Sequence, residues 1–219
     1  MTSRKTGIKP KLKLIIPGVF ALTAIVVALA LSACAATAMT FEDFRRAWQG
    51  IPATMTTYDQ NGELIDKVTG NSFAIELDER FTQYVYDTEG NGTQVKGEVM
   101  LISVGQSHVS HVGSTLILAE DGVAAVAGGA TKVDIKNTAA GVPWLNNLLE
   151  YNRNLWQGKG KTIMVRSQDG KPIAVYAADQ VEIQGTSVPK STMFRLDGKR
   201  LFVYRADYTV YDNELLASR

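Results

Sequence analysis

Cysteine is almost missing from this chain, since Cys34 is the only one among 219 residues. A single cysteine excludes an internal disulfide and a zinc site built from several thiolates. If its thiol is modified, no cysteine nucleophile remains either. The folded part must therefore be stabilised by its hydrophobic core, and the length suits one domain with a sizeable core.

Histidine is nearly as scarce, because His108 and His111 are the only two. Residues three apart on a strand point to opposite faces, and no acidic residue lies close in sequence to complete a metal site. Two ordinary hairpin histidines are therefore the preferred interpretation. We expect no metal site and no cofactor.

Sequence motifs of common enzyme classes are absent as well. There is no G-x-S-x-G elbow, and Ser114 is followed by threonine; there is also no phosphate-binding P-loop. A Ser–His–Asp arrangement or a pair of catalytic carboxylates stays open, because a fold can assemble either from distant residues. We assign no catalytic residue, and a hydrolase of cell-wall polymer is the alternative hypothesis.

Acidic residues are absent from the first 41 positions. The first acid is Glu42, and an uncharged apolar stretch runs from Leu14 to Leu31. Five basic residues precede that stretch: Arg4, Lys5, Lys9, Lys11 and Lys13. A basic segment followed by an apolar one is the layout of a secretory signal, and Lys and Arg stay on the cytoplasmic side. The rest of the chain is therefore expected to be exported.

The lone cysteine follows this stretch in Leu31-Ser32-Ala33-Cys34, which resembles the lipobox of bacterial lipoproteins. The resemblance implies that Cys34 carries a diacylglycerol and that a peptidase cleaves between Ala33 and Cys34. Two acyl chains anchor a protein permanently, at about 0.8 kcal/mol for each buried CH₂. The expected location is the extracytoplasmic face of the cell membrane, with the lipid on Cys34 as the membrane contact.

Two other outcomes fit the same segment. The uncharged stretch has about the length that spans a bilayer, so it could remain as an uncleaved signal anchor, although Pro17 and Gly18 weaken its helix. Ordinary cleavage is the other outcome, because residues 33–35 and 36–38 both fit a small-x-small site. The position of the only cysteine favours the lipoprotein.

The lipoprotein hypothesis divides the chain into three parts: a signal peptide (1–33), a lipidated N-terminus with a short helix (34–52) and one β domain (53–219). Cleavage removes five of the 23 basic residues and none of the 22 acidic ones. The exported part is then mildly acidic, which gives no indication of a nucleic-acid partner.

A short helix is predicted after the signal, because Thr40 and Asp43 have the spacing of a capping box. Phe41, Phe44 and Trp48 share one face of this helix. It should end before the glycine and proline of residues 50–52.

From Ala53 onward, short β-branched segments alternate with turn dipeptides. Five Asn-Gly or Asp-Gly pairs, which suit tight hairpins, lie at residues 61–62, 91–92, 121–122, 169–170 and 197–198. The segments between them are typical of strands with one buried face. We predict a mainly β (α+β) fold, as an antiparallel sheet or a partly open barrel or sandwich. One amphipathic helix over Pro143–Trp156 should cross it.

An internal similarity lies near the end of the chain, between DGKPIAVYAAD (169–179) and DGKRLFVYRAD (197–207). Both segments predict a hairpin turn followed by a strand. A duplicated ββ unit and two independent hairpins both fit, but two copies do not make a repeat protein.

Aromatic side chains suggest a binding surface for the sugars of a cell wall as an alternative to core packing. The candidates are Trp48, Trp144, Trp156, Tyr204, Tyr208 and Tyr211. Aromatics at helical or strand spacing pack more often in a core, so core packing is preferred.

Taken together, the lipobox, HVGSTLILAEDG, IMVRSQDGKPIAVYA and VPKSTMFRLDGKRLFVYRADYTVYD resemble a family of uncharacterised Gram-positive lipoproteins, a domain of unknown function. The resemblance covers most of the exported chain and implies a surface location, but no catalytic residue. We expect a membrane-anchored module that binds a cell-wall polymer or a surface protein.

Overall fold

The computed structural model describes residues 38–125, 127–128 and 158–214. Backbone contacts divide the chain into two units, Met1–Thr37 and Ala38–Arg219, and every described residue lies in the second. Cys34, its cleavage site and the helix predicted over Pro143–Trp156 lie outside the described residues. Within the described part, no helix has the length and apolar character needed to cross a membrane.

The predicted N-terminal helix is present as α1, which spans Phe41–Trp48 and begins with the expected capping box. The Asp43 N–H donates to Thr40 Oγ1 at 3.1 Å, and the Thr40 N–H donates to the Asp43 carboxylate at 3.2 Å. Phe44 and Trp48 are buried, with ring centroids 5.8 Å apart. The cap satisfies two backbone donors, and the aromatic face fixes α1 to the core.

Short strands make up most of the described chain. They are β1 (Ala53–Tyr58), β2 (Leu64–Gly70), β3 (Phe73–Leu77), β4 (Gln83–Tyr86), β5 (Gly92–Val95), β6 (Met100–Val104), β7 (Ser107–His111), β8 (Thr115–Glu120), β9 (Ala127–Gly128), β10 (Lys161–Arg166), β11 (Pro172–Ala178), β12 (Val181–Gly185), β13 (Ser191–Leu196), β14 (Lys199–Tyr204) and β15 (Asp207–Asp212). A 3₁₀ turn at Glu79–Phe81 precedes β4.

These strands form four antiparallel sheets, which confirms the predicted mainly β class. The largest has the order β12-β13-β14-β8-β1-β2, and a second has the order β15-β10-β11-β9. The third sheet has the order β3-β6-β7, and β4 pairs with β5 in the fourth. The architecture is sandwich-like, with sheets stacked on both sides of the six-stranded one.

The six-stranded sheet is buried on both of its faces. Leu116 and Leu118 of β8 pack in one core with α1 and the three-stranded sheet. Ile117, between them, packs in a second core with the four-stranded sheet. On β14, Phe202 and Val203 divide between the two cores in the same way. The prediction of strands with one buried face is therefore wrong for β8 and β14, whose continuous apolar runs are typical of strands covered on both sides.

Three of the five predicted dipeptide turns connect paired strands. Gly62, Gly170 and Gly198 have φ of 78°, 77° and 85°. They join β1 to β2, β10 to β11 and β13 to β14. Glycine adopts this region without the clash that a Cβ atom causes, so the hairpin prediction is confirmed at these positions.

The other two dipeptides behave differently. In the β4–β5 connection the positive φ, 83°, belongs to Gly90, because the Asp87 side chain accepts the Asn91 N–H at 2.8 Å and closes the turn earlier. Gly92 is already the first residue of β5. Gly122 does turn the chain after β8, with φ of 85°. However, β8 pairs with β1 and β14, so this turn closes no hairpin between adjacent strands.

The internal similarity corresponds to two hairpins, as predicted. The strands that follow the two DGK turns are β11 and β14, and Tyr176 and Tyr204 occupy the same place in each and are both buried. The strands belong to different sheets, and the second core lies between these sheets. The similar segments thus contribute to opposite sides of one core.

Candidate functional site

Two cationic residues with an unusual backbone conformation lie side by side at one end of the six-stranded sheet. Lys190 precedes β13 and Arg205 follows β14, and the Arg205 N–H donates to the Lys190 carbonyl at 2.9 Å. Their φ angles are 61° and 49°, in the left-handed region that costs a non-glycine residue about 1–2 kcal/mol. Because such conformations concentrate at functional sites, these positions mark a candidate site.

Glu98, from the segment before β6, binds both cations. Its carboxylate accepts hydrogen bonds from Lys190 Nζ at 2.8 Å and from Arg205 Nη1 at 3.1 Å. The hydrogen bond from Lys190, followed by the charge of that ammonium, lowers the pKa of Glu98 below its usual value. Glu98 is therefore an ionised acceptor at neutral pH.

Gln168, in the turn between β10 and β11, connects the same cluster to the four-stranded sheet. Its Oε1 accepts from Arg205 Nη2 at 3.4 Å, and its Nε2 donates to the Gly113 carbonyl at 3.3 Å. Arg205 Nε is buried without a hydrogen-bond partner among the described residues. Burying an unpaired donor is unfavourable, so the packing around the guanidinium, and not complete hydrogen bonding, holds it in place.

Gln168, Lys190 and Arg205 border a cleft of about 580 Å³ at the strand ends where β14 leads into β15. Hydroxyl groups line it, including Thr192 Oγ1, which donates to the Tyr208 hydroxyl at 3.2 Å. The Tyr208 ring packs edge-on against Phe194 with centroids 4.9 Å apart, yet the residue remains 37% exposed. The cleft thus has a fixed aromatic wall with a polar tip.

The N-terminal end of the domain is attached at the rim of this cleft. The Met39 N–H donates to the Gly185 carbonyl at 2.8 Å, and the Ser187 N–H donates to the Met39 carbonyl at 2.9 Å. Thr186, which forms an isolated parallel bridge with Met39, lines the cleft. Met39 itself is buried, so the backbone is held here by two hydrogen bonds and by its side chain.

The groups that line the cleft can hold a ligand through charge and hydrogen bonds, and they include one carboxylate, that of Asp207. Guanidinium, ammonium, amide and hydroxyl groups offer donors and acceptors in defined directions. A general acid that operates near neutral pH needs a raised carboxyl pKa, whereas that of Glu98 is lowered. The groups lining the cleft match a ligand that carries many hydroxyls.

The two histidines of the sequence have separate structural contacts on β7. Ser103 Oγ and His108 Nδ1 are 3.1 Å apart, and His111 Nε2 lies 3.0 Å from the Ser114 carbonyl oxygen. The His111 ring also packs against Tyr204, with centroids 5.8 Å apart. Among the residues that the structure describes, no three His, Asp or Glu side chains are grouped to hold a metal ion.

The candidate aromatics divide between core and cleft. Trp48 and Tyr204 are buried, which confirms core packing for both. Tyr208 borders the cleft instead, and Tyr211 is half-buried on β15. Trp144 and Trp156 lie outside the described residues.

Sequence reasoning missed the two cations that line the cleft, Lys190 and Arg205, and also Glu98, which binds both of them. Glu98 is 92 residues from Lys190 and 107 from Arg205 along the chain, so no local motif connects them. The left-handed backbone at Lys190 and Arg205 also could not be predicted, because neither residue is the glycine or asparagine that usually adopts it.

Comparison with known proteins gives one match. The family model of the Domain of unknown function (DUF5052) matches residues 18–216. No curated protein and no solved structure matches the chain.

Proposed function

Because the chain belongs to the domain-of-unknown-function family DUF5052, whose description carries no activity, we propose a function from its own residues. The protein is a lipid-anchored component of the bacterial cell envelope. Its folded domain is a binding module that holds a hydroxyl-rich cell-wall polymer in the cleft beside Lys190 and Arg205. The composition of that cleft is the observation that carries the proposal.

The anchor is supported by the placement of Cys34. The only thiol of the chain follows small residues at the end of a charge-free stretch, where lipoprotein processing requires it. Met39 lies only five positions later in the chain, and at about 3.5 Å per residue five residues span less than about 20 Å. A diacylglycerol on Cys34 therefore keeps the rim of the cleft near the membrane surface and within reach of envelope polymers.

Metabolic labelling tests the anchor. Cells that express the full chain are grown with an alkyne fatty acid, and labelling of the wild type is compared with that of Cys34→Ala. Ser32→Ala, which keeps a small residue in the same tetrapeptide, is the matched control. We expect label and membrane retention in wild type and Ser32→Ala only. A labelled, cell-bound Cys34→Ala variant contradicts the lipid anchor and supports the uncleaved signal anchor.

The polymer is supported by the types of group in the cleft. Saccharide hydroxyls need paired donors and acceptors, which Gln168, Thr192 and the Tyr208 hydroxyl provide, while an aromatic ring offers an apolar face. Arg205 adds a charge-assisted donor. Such sites bind through several directed hydrogen bonds.

Cell-wall binding by the detergent-solubilised full chain tests this step. Tyr208→Phe removes one hydroxyl from the cleft but keeps the ring on Phe194, so the fold is retained. Tyr211→Phe removes one hydroxyl from the same strand outside the cleft and is the control. The loss of one hydrogen bond, about 1 kcal/mol, should weaken retention on purified walls about fivefold for Tyr208→Phe only.

Two results would contradict the binding module. Equal retention of both variants and the wild type would show that the cleft does not bind the cell wall. Release of soluble saccharide from the walls by the wild type, but not by Glu98→Gln, would support the hydrolase instead.

A further inference from the structure

The two-stranded ribbon β4–β5 exposes an unusual amount of apolar surface. All eight of its strand residues are exposed. Tyr84, Val85, Tyr86 and Val95 are 65%, 54%, 68% and 49% exposed, and Phe81 beside the ribbon is 49% exposed. An isolated two-stranded hairpin is only marginally stable in water, and contiguous exposed apolar side chains commonly mark an interaction site.

The ribbon also lacks the charges that protect a free sheet edge. Four of the six edge strands of the other sheets contain charged side chains: Asp66 and Lys67 on β2, Glu76 on β3, Glu182 on β12, and Asp207 and Asp212 on β15. The two others, β7 and the two-residue β9, contain no Asp, Glu, Lys or Arg. The strands β4 (QYVY) and β5 (GTQV) likewise have no charged residue, and they have no proline. Among the described residues β4 pairs with β5 alone, and such an unprotected edge favours pairing with another strand.

The backbone of β4 has a defined outward side. The Asp87 N–H donates across the ribbon to the Asn91 carbonyl at 3.1 Å. Backbone groups alternate in direction along a strand, so those of Val85 also point towards β5. The N–H and C=O groups of Tyr84 and Tyr86 therefore point away from it, towards the open edge.

The side chains of β4 are sorted between its two faces. Tyr84 and Tyr86 share one face, because side chains two positions apart point the same way. Tyr84 lies opposite Gln94 and Tyr86 opposite Gly92. Val85 is on the other face, which it shares with Val95. Tyrosines thus occupy one face of the edge strand and an aliphatic side chain the other.

We infer that β4 pairs with β4 of a second copy of this chain, antiparallel and centred on Val85. In this register the outward backbone groups of Tyr84 meet those of Tyr86 in the copy, and the reverse pair forms by symmetry. Val85 then lies opposite the Val85 of the copy on one face, and two tyrosine pairs form on the other. The result is a four-stranded sheet with strand order β5-β4-β4-β5.

A second copy fits this edge better than an unrelated strand because the edge is self-complementary. Every outward donor meets an outward acceptor, no like charges face each other, and aromatic and aliphatic cross-strand pairs stabilise a sheet. The contact is short, since each strand contributes four residues. It is well below the roughly 1,200–2,000 Å² of a stable interface, so association is weak in dilute solution and depends on local concentration.

Cysteine crosslinking in membranes of cells that express the full chain tests the register. Val85→Cys places two thiols opposite each other at a Cα separation of about 4.5 Å, within disulfide range. Val95→Cys is the matched control, with the same residue type, face and similar exposure. In the proposed register it is separated from its copy by three strand spacings, about 14 Å, and additionally by four residues along the strands. The parent chain, whose only thiol is that of Cys34, measures background crosslinking. A crosslinked parent chain would show that the Cys34 thiol is free, and this result does not depend on the ribbon.

We expect a crosslinked dimer for Val85→Cys and its absence for Val95→Cys and the parent chain. Adding Tyr84→Lys to Val85→Cys places a charge at the paired edge and should abolish the dimer. Gln94→Lys places the same charge on β5, away from the contact, and should preserve it. Equal crosslinking of Val85→Cys and Val95→Cys, no dimer with either, or a dimer that survives Tyr84→Lys would overturn the inference.

Discussion

At the scale of single residues, the cleft is built from side chains that hold an unfavourable backbone in place. Lys190 and Arg205 are both left-handed and both bonded to Glu98. The Lys190 and Glu98 side chains are 54% and 45% exposed, and exposed ion pairs contribute little to stability. The ion pairs alone therefore do not offset the backbone cost, which makes the two positions more suitable for function than for stability.

Substitution of Lys190 tests this balance. Lys190→Ala and Lys190→Gly both remove the ion pair, but only alanine has to keep a Cβ atom at φ of 61°. We expect the glycine variant to be more stable than the alanine variant by about 1 kcal/mol. The free energy of unfolding in urea measures the difference. Equal stabilities would show that the backbone at residue 190 is not left-handed in solution.

Asp87 is a residue whose ionisation is coupled to local structure. Its carboxylate accepts from the Glu89 and Asn91 backbone N–H groups and from Asn91 Nδ2, at 2.9, 2.8 and 3.0 Å. These bonds, led by that of the Asn91 side chain, lower the pKa of Asp87. Because the folded pKa is the lower one, the stabilisation is complete above the unfolded pKa of about 3.9 and is lost as the pH falls through the folded pKa.

An NMR titration of the Asp87 carboxyl checks this. We expect a pKa below about 3.9, with protection of the Asn91 amide lost over the same acidic range. Asn91→Ala should raise the pKa towards the reference value, because it removes a side-chain donor. An Asp87 pKa that does not respond to Asn91→Ala would contradict the role of this contact.

At the scale of elements, caps and turns with a strong local sequence signal could be predicted, and features with a weak signal could not. The capping box of Thr40 and Asp43 and the turns at Gly62, Gly170 and Gly198 follow from local backbone chemistry, which acts identically in any fold. A turn between β4 and β5 is predicted at residues 91–92, but its positive φ falls at Gly90, because the Asp87 side chain closes the turn earlier. Burial of β8 on both faces depends on which sheets stack together, and no local pattern determines stacking.

The hairpin turns at Gly170 and Gly198 can be tested by valine substitution. No atom lies within 4 Å of a Cβ added at either glycine, so the cost comes from the positive φ alone. We expect Gly170→Val and Gly198→Val to destabilise the protein by about 1–3 kcal/mol each. Thermal unfolding measures the change.

Gly185→Val is the matched control, because its Cβ would also meet no atom within 4 Å and its φ is not positive. It should change stability by less than about 0.5 kcal/mol. If Gly170→Val and Gly198→Val are as mild as this control, the two DGK segments do not form tight turns in solution.

At the scale of the whole molecule, the start of the domain is part of its fold. Met39 pairs with Gly185 and Ser187 and is buried in the first core, and Thr40 caps α1. The sequence identified the cap, but the contact of Met39 with β12 joins segments far apart in the chain and could not be predicted. It places Met39 at the rim of the cleft.

Two fragments test how far the domain reaches towards its N-terminus. A fragment from residue 35 should fold cooperatively, with a circular dichroism spectrum dominated by β-structure. Reductant should leave its melting temperature unchanged, because no disulfide contributes. A fragment from residue 41 lacks the Thr40 cap and the buried Met39 side chain, and we expect it to be less stable by roughly 2–4 kcal/mol. Equal stability of the two fragments would mean that the domain begins at α1 and that the Met39 contact does not hold the chain at the rim of the cleft.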